Sequence, residues 1–299
     1  MINGIINVYK EKDFTSHDVV AKLRGILKQK KIGHTGTLDP QATGVLPVCL
    51  GKGTKLCDML TEHDKEYEAV MVLGITTDTE DMTGKVLQER EVNVQEEEVI
   101  EAINSFLGDY WQVPPMYSAL KVNGRKLYDY ARAGIEIERK SRLVEILDIQ
   151  ITDISLPKVT FRVKCSKGTY IRTLCKDIGE KLGCGACMEE LKRTQVGIFN
   201  IDKALTLSQI EQLVKDNRID EIVYDIDEMF GNLSKFVIDE KYNKYLYNGN
   251  TLKKEWVLDS DNIEDRIRIY DYLGKFYGIY KYDKMRKEYK PEKIFYDNE

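Results

Sequence analysis

The stretch that most restricts how this 299-residue chain can fold is Gly33-His34-Thr35-Gly36-Thr37-Leu38-Asp39-Pro40-Gln41-Ala42-Thr43-Gly44. Three glycines and a proline in twelve residues break any long helix or strand, so backbone shape and not propensity sets its side chains. Asp39 is its only carboxylate and His34 its only imidazole. A loop carboxylate held over a substrate acts as nucleophile or general base without a metal, which makes Asp39 a candidate for either. Aspartate before proline also opens turns, and that structural role stands beside the chemical one.

The flanking segments predict mixed α and β structure. Residues 4–9 form a strand, and Ser16 caps a helix over 17–28 whose apolar face is Val19, Val20, Leu23 and Leu27. The lysines that end it, Lys28, Lys30 and Lys31, are expected near Asp39. Strands follow over 45–50 and 67–73, with a short helix over 54–60 between them. The hydroxyl- and carboxylate-rich segment 74–84 lacks the ordered ligand positions of a calcium loop and is expected as a polar surface turn. A helix over 96–107 buries Val99, Ile100, Ile103, Phe106 and Leu107, and Pro114-Pro115 then enforces an extended path.

Residues 122–142 are basic with interleaved Tyr128 and Tyr130, a pattern that serves an RNA-gripping arm or an amphipathic helix equally well. The next strand, 143–151, is expected to turn Leu143, Leu147, Ile149 and Ile151 to one face; 159–165 alternates with period two. A helix from 171 to 182 has the stripe Ile171, Leu174, Cys175, Ile178 and Leu182. Arg172 sits off that stripe near the helix start, where the dipole disfavours a cation, so it either answers a specific anion or is simply exposed. Residues 189–199 read as a polar turn entering a strand, and Thr206 and Ser208 compete to cap a helix over 209–214, Ser208 with Glu211 making the capping box. From 236 onward, short alternating runs indicate a small β barrel or sandwich.

The net charge is −5, yet residues 1–60, 120–142 and 158–195 are basic and 211–265 acidic, so one face can meet phosphates. Six cysteines do not make a disulfide framework; Cys175, Cys184 and Cys187 offer a weak zinc reading without a fourth ligand, and no metal is expected. No segment has the roughly 20 apolar residues of a membrane span, nor does the N-terminus resemble a leader, and a cytoplasmic protein is expected. Nucleotide-cofactor fingerprints are absent.

In order along the chain stand Thr15-Ser16-His17-Asp18, the Gly33–Gly44 stretch, Lys65-Glu66-Tyr67, Gly74-Ile75-Thr76-Thr77-Asp78-Thr79-Glu80-Asp81, Pro114-Pro115-Met116-Tyr117-Ser118-Ala119-Leu120-Lys121, Gly168-Thr169-Tyr170-Ile171-Arg172 and Leu191-Lys192-Arg193-Thr194. This set resembles the TruB family of tRNA pseudouridine synthases over nearly the whole chain. The resemblance implies an α+β fold: a mixed α/β catalytic core over 1–230, with 122–142 as a substrate-gripping insertion, and a PUA-like RNA-binding barrel over 235–296. It implies an isomerase that converts uridine 55 of the transfer-RNA T stem-loop to pseudouridine by base flipping, with no cofactor, no membrane and no obligate protein partner, as a monomer. Asp39 would be catalytic, Arg172 its paired arginine and Tyr67 the stacking tyrosine; Tyr170 and Leu191 would line the base pocket. His34 would help hold that pocket open, and Lys121, Arg125 and Lys126 would contact the RNA backbone. The family commonly has Lys-Pro-x-Gly before Thr-Ser, whereas this chain has Lys10-Glu11-Lys12-Asp13. A noncatalytic RNA chaperone using the same surfaces is the alternative from another class.

Overall fold

A nine-stranded mixed sheet organises the larger part of the computed structural model, which describes residues 1–257 and 263–296. In chain order come β1 (Gly4–Lys10), β2 (Ile32–His34), β3 (Thr43–Leu50), β4 (Lys65–Leu73) and a hairpin of β5 (Ile75–Thr77) and β6 (Val86–Glu89). After these come β7 (Gly108–Gln112), a hairpin of β8 (Lys121–Val122) and β9 (Arg125–Lys126), then β10 (Arg142–Ser155), β11 (Lys158–Cys165), β12 (Ala186–Val196) and β13 (Phe199–Asn200). The sheet runs β1-β3-β12-β4-β11-β10-β7, with β2 on β3 and β13 on β12. Its neighbours are antiparallel except β3 and β12, which run parallel where Thr43 meets Lys192 and Gly44 meets Arg193. Only glycine fits that crossing: Gly44 has φ +103°, and a Cβ would stand 2.2 Å from the Arg193 carbonyl oxygen.

The helices are α1 (Ser16–Ile26), α2 (Cys57–Thr61), α3 (Glu96–Asn104), α4 (Leu127–Arg132), α5 (Ile171–Lys181) and α6 (Leu207–Lys215). α3 and α5 cover the sheet through Val99, Ile103, Leu174 and Ile178, packed with Met71, Phe161 and Val163. α1 and α6 do the same for β1 and β3, placing Val19, Leu23 and Ile210 among Ile6, Val8, Leu46 and Val48. The opposite sides of those strands, Ile5, Val45 and Cys49, pack with Phe230, Ile279 and Phe295 from the C-terminal part. Strands covered on both faces read as unbroken apolar runs, as 45–50 does.

The C-terminal part is a curled five-stranded sheet of β14 (Lys235–Val237), β15 (Leu252–Lys253), β16 (Arg266–Tyr270), β17 (Phe276–Asp283) and β18 (Glu288–Ile294), in the order β14-β16-β17-β18-β15. With α7 (Asn243–Tyr247) it has its own core of Ile238, Leu246, Ile267, Ile269, Tyr280 and Tyr289. This agrees with the expected α+β class and PUA-like barrel; residues 258–262 of the expected 235–296 segment lie outside the described residues.

Several local expectations are corrected. Thr15, not Ser16, caps α1 in a capping box with Asp18, which frees the buried Ser16 hydroxyl for another use. α3 ends at Asn104, leaving Leu107 beyond it exposed, and it buries Val99, Ala102 and Ile103 while Ile100 faces outward. In β10 the buried residues are Val144, Ile146 and Ile149, whereas Leu143 and Leu147 face outward, because a bulge between Ile146 and Asp148 switches the side-chain phase. α6 starts two residues earlier, at Leu207, and of the two competing caps Thr206 serves, forming the box with Gln209. Residues 189–196 are no turn; they belong to β12, a central strand. Among the described residues no helix is long and apolar enough to cross a membrane, and no group of three or more His, Cys, Asp or Glu side chains is arranged to hold a metal.

Candidate active site

The glycine-rich loop joins β2 to β3 and is pinned from three sides. Leu38 N–H donates to the Ser16 hydroxyl at 2.9 Å, the Lys10 ammonium donates to the Pro40 carbonyl at 3.1 Å, and Arg193 Nη2 donates to the Gly36 carbonyl at 3.2 Å. Asp13 N–H also donates to the Pro40 carbonyl, at 2.9 Å. Asp13 stands where the family commonly has glycine and takes a left-handed φ of 69°, a conformation aspartate tolerates better than most side chains, so the turn survives the departure.

Asp39 emerges from this loop against the start of α5. Arg172 Nε lies 3.0 Å from Asp39 Oδ2. The same guanidinium donates from Nη1 to the Thr79 carbonyl at 3.0 Å and from Nη2 to the Tyr117 carbonyl at 2.9 Å, and sits 3.5 Å from Asp81 Oδ2. Arg172 is therefore a buried node that joins the Asp39 loop, the 74–84 segment and the loop that follows Pro114-Pro115. The 74–84 segment, expected as a surface turn, instead braces the site from outside the cavity lining: Asp81 faces Arg172, and Glu80 accepts from the Thr173 hydroxyl at 2.6 Å. Tyr170, just before α5, is clamped by buried Gln112, which accepts from Tyr170 N–H at 2.7 Å and donates to its carbonyl at 2.9 Å.

A cavity of about 380 Å³ lies in front of Asp39, with Tyr67, Tyr117, Tyr170, Arg172 and Leu191 in its lining. Two larger hollows, of about 490 and 450 Å³, lie elsewhere, but neither is lined by an arginine, so chemistry rather than size selects the site. Five expected residues thus meet around one space: Asp39, Tyr67, Tyr170, Arg172 and Leu191. His34 is not in that lining; it ends β2 opposite Val48, with a buried, unpartnered Nδ1. Burial and the charges of Arg193 and His17 lower its pKa, which favours neutral imidazole. Lys121, Arg125 and Lys126 lie on the β8–β9 hairpin, whose continuation α4 carries Tyr128 to the cavity. The basic segment folds as a hairpin and a short helix laced by Arg125 over Tyr130 at 4.8 Å and Lys126 over Tyr128 at 5.1 Å.

Asp39 carries opposing influences. Burial raises its pKa above the ordinary aspartate value, Arg172 opposes that, Asp81 adds to the rise, and Lys10 counters it. The net direction is upward, so the arginine offsets desolvation without overcoming it. The nearby positive charge comes from Arg172 and Lys10 rather than from the lysines that end α1. Burial likewise raises the Tyr67 phenol, against the pull of adjacent Arg193. Sequence reasoning passed over Lys10, Lys65, Asp81 and Arg193. Period two held the missing signal for two of them, since Lys65 shares a strand face with Tyr67 and Arg193 shares one with Leu191.

Residues 24–171 match the family model for the TruB family pseudouridylate synthase N-terminal domain, and 172–231 that for the tRNA pseudouridylate synthase B C-terminal domain. The chain is 54 % identical to a tRNA pseudouridine synthase B of Lachnoclostridium phytofermentans, over 98 % of this chain and all of that protein. It is 42 % identical to one of Bacillus pumilus, over 98 % of both chains. Among solved structures, an H/ACA RNP bound to a substrate RNA containing 2'-deoxyuridine superposes with TM-score 0.73 at 26 % identity, over 98 % of this chain and 85 % of that one. A Cbf5-Nop10-Gar1 complex gives TM-score 0.74 at 28 % identity with the same coverage.

Proposed function

Because the chain belongs to the TruB family of pseudouridylate synthases, we propose that it isomerises uridine 55 in the T arm of transfer RNA to pseudouridine, with Asp39 as the catalytic group. The observation that carries the residue assignment is the 3.0 Å contact between Asp39 and Arg172 at the mouth of a cavity walled by aromatic rings. The reaction moves ribose C1' from uracil N1 to C5 of the same ring. Breaking C1'–N1 leaves the bonding pair on uracil; Asp39 then either bonds to C1' as a ribosyl ester or takes the C2' proton to leave a glycal. The ring turns, C5 bonds to C1', the C5 proton passes to a base and N1 takes up a proton, with C2' reprotonated on the glycal route. Nothing is oxidised and no group is imported, so the balance calls for no cofactor.

The uridine must leave its stack to reach Asp39, which costs a few kcal/mol and is offset by contacts elsewhere. Tyr67, Tyr170 and Leu191 accept the base; Lys121, Arg125 and Lys126, with the C-terminal sheet, hold the RNA backbone by shape and charge. The same reading takes the protein as a monomer without an obligate protein partner, acting in the cytoplasm.

Incubating the protein with an unmodified transfer-RNA transcript and assaying pseudouridine tests the reading; a pure RNA chaperone leaves every uridine unchanged. Two further outcomes follow. Tyr67→Phe keeps the ring and should retain substantial turnover, whereas Tyr67→Leu should lose about tenfold or more, since stacking dominates its role. Equal, severe losses in both variants would assign the role to the hydroxyl. Transfer-RNA affinity should fall steeply with added salt, and replacing Lys121, Arg125 and Lys126 together should flatten that dependence by about three released counterions at most. An unchanged salt slope in the triple variant would remove the hairpin from the interface.

A further inference from the structure

Two buried cations line the cavity and do not take part in the Asp39 pair. Lys65 is 6 % exposed and Arg193 1 %. Their hydrogen bonds go to neutral carbonyls: Lys65 Nζ to those of Thr61 at 2.5 Å and His63 at 2.6 Å, Arg193 Nε to that of Val45 at 2.7 Å and Nη2 to that of Gly36 at 3.2 Å. Among the described residues neither is ion-paired with a carboxylate. A buried charge without a counterion is costly, and proteins normally neutralise or pair it. Two such charges in one cavity lining indicate that the counterion arrives with the substrate.

Their placement says which part of the substrate that is. Tyr67 and Arg193 are register partners across β4 and β12, and the guanidinium lies against the Tyr67 phenol. Lys65 precedes Tyr67 by two residues on β4, hence on the same strand face. A ring stacked on Tyr67 therefore meets both charges. Arg172 is already committed to two carboxylates and two carbonyls, which leaves little of its charge for the base. The backbone phosphates are expected on the exposed hairpin, outside this aromatic enclosure.

We infer that Lys65 and Arg193 form an anion-stabilising wall that holds the negative charge left on uracil when its bond to ribose breaks. The inference rests on the pseudouridine synthase reading and deepens it. The bonding electrons of C1'–N1 move onto uracil, the two fixed cations oppose that growing charge, and it disappears when C5 bonds to C1'. Preorganised charge aimed at a transition state lowers a barrier without reorganising during the reaction.

Lys65 makes the idea testable through pH. Burial pulls its ammonium down to about 8; Arg193 of β12 adds to the fall, while Cys165 of β11 and Asp64 and Glu62 of the turn before β4 oppose it. His63 lies in the same turn, where burial and then the Lys65 charge lower its pKa. The charged lysine is the active form, so kcat/KM should fall as pH rises through about 8. Lys10, beside Asp39, is also lowered to about 8, so the limb and the Lys65 variants are compared in a Lys10→Arg background. Lys65→Met should lower kcat about 100-fold with transfer-RNA affinity unchanged. Lys65→Arg should recover most of that loss and carry no basic limb near pH 8, because a guanidinium does not titrate there. Persistence of the limb in Lys65→Arg, or wild-type kcat in Lys65→Met, overturns the inference while leaving the proposed reaction standing. Absence of pseudouridine with the wild type at every pH overturns the reading beneath it.

Discussion

Asp39→Asn should lose pseudouridine formation by on the order of 10⁴-fold or more while folding and binding transfer RNA like the wild type. Asparagine is isosteric, and its carbonyl still accepts a hydrogen bond from Arg172 Nε, 3.0 Å from the present carboxylate oxygen. What disappears is the negative charge and with it the ability to attack C1' or to take the C2' proton. Binding is spared because the RNA is held by the cavity rings and the distant hairpin. The wild type should also lose activity on acidification earlier than an ordinary aspartate would dictate, since burial displaces the Asp39 pKa upward and only the ionised form works. A variant that turns over within about tenfold of wild type would take the chemistry away from Asp39.

Arg172→Lys should keep the charge and still lose about 100-fold in kcat, with a smaller effect on KM. The guanidinium serves Asp39, Asp81, Thr79 and Tyr117 at once, from three nitrogens in one plane. A lysine offers one compact ammonium, which can satisfy the carboxylates or the carbonyls but not the fork as a whole. Asp39 would then be held loosely beside the sugar, and the 74–84 segment would lose its tie, through Arg172, to the Tyr117 carbonyl. Near-wild-type turnover would show that charge alone matters at this position, and the geometric role assigned to Arg172 would fall.

These two residues were also the most legible in the sequence, for separable reasons. Asp39 stands alone as a carboxylate in a loop that no regular element can claim. Arg172 contradicts the helix dipole at its own helix start, and the anions that resolve the contradiction are Asp39 and Asp81. The β12 strand was hidden because one of its faces is polar: Lys192 meets Glu68 at 3.1 Å and the Thr194 hydroxyl donates to Glu66 at 2.9 Å, so a central strand carries the composition of a turn. The face of β10 was misread because a bulge leaves no mark in a pattern of alternating residues. Segment 74–84 looked like surface because its carboxylates have a cation from a helix almost a hundred residues away, a pairing that local spacing does not encode.

The account turns on an aspartate acting on one flipped-out nucleotide, and site-resolved mapping of pseudouridine in a transfer-RNA transcript incubated with wild type and with Asp39→Asn tests it most directly. It predicts a single modified position, uridine 55 of the T arm, with the wild type and none with the variant. Modification at another position only, or an undiminished signal at uridine 55 from Asp39→Asn, would contradict it.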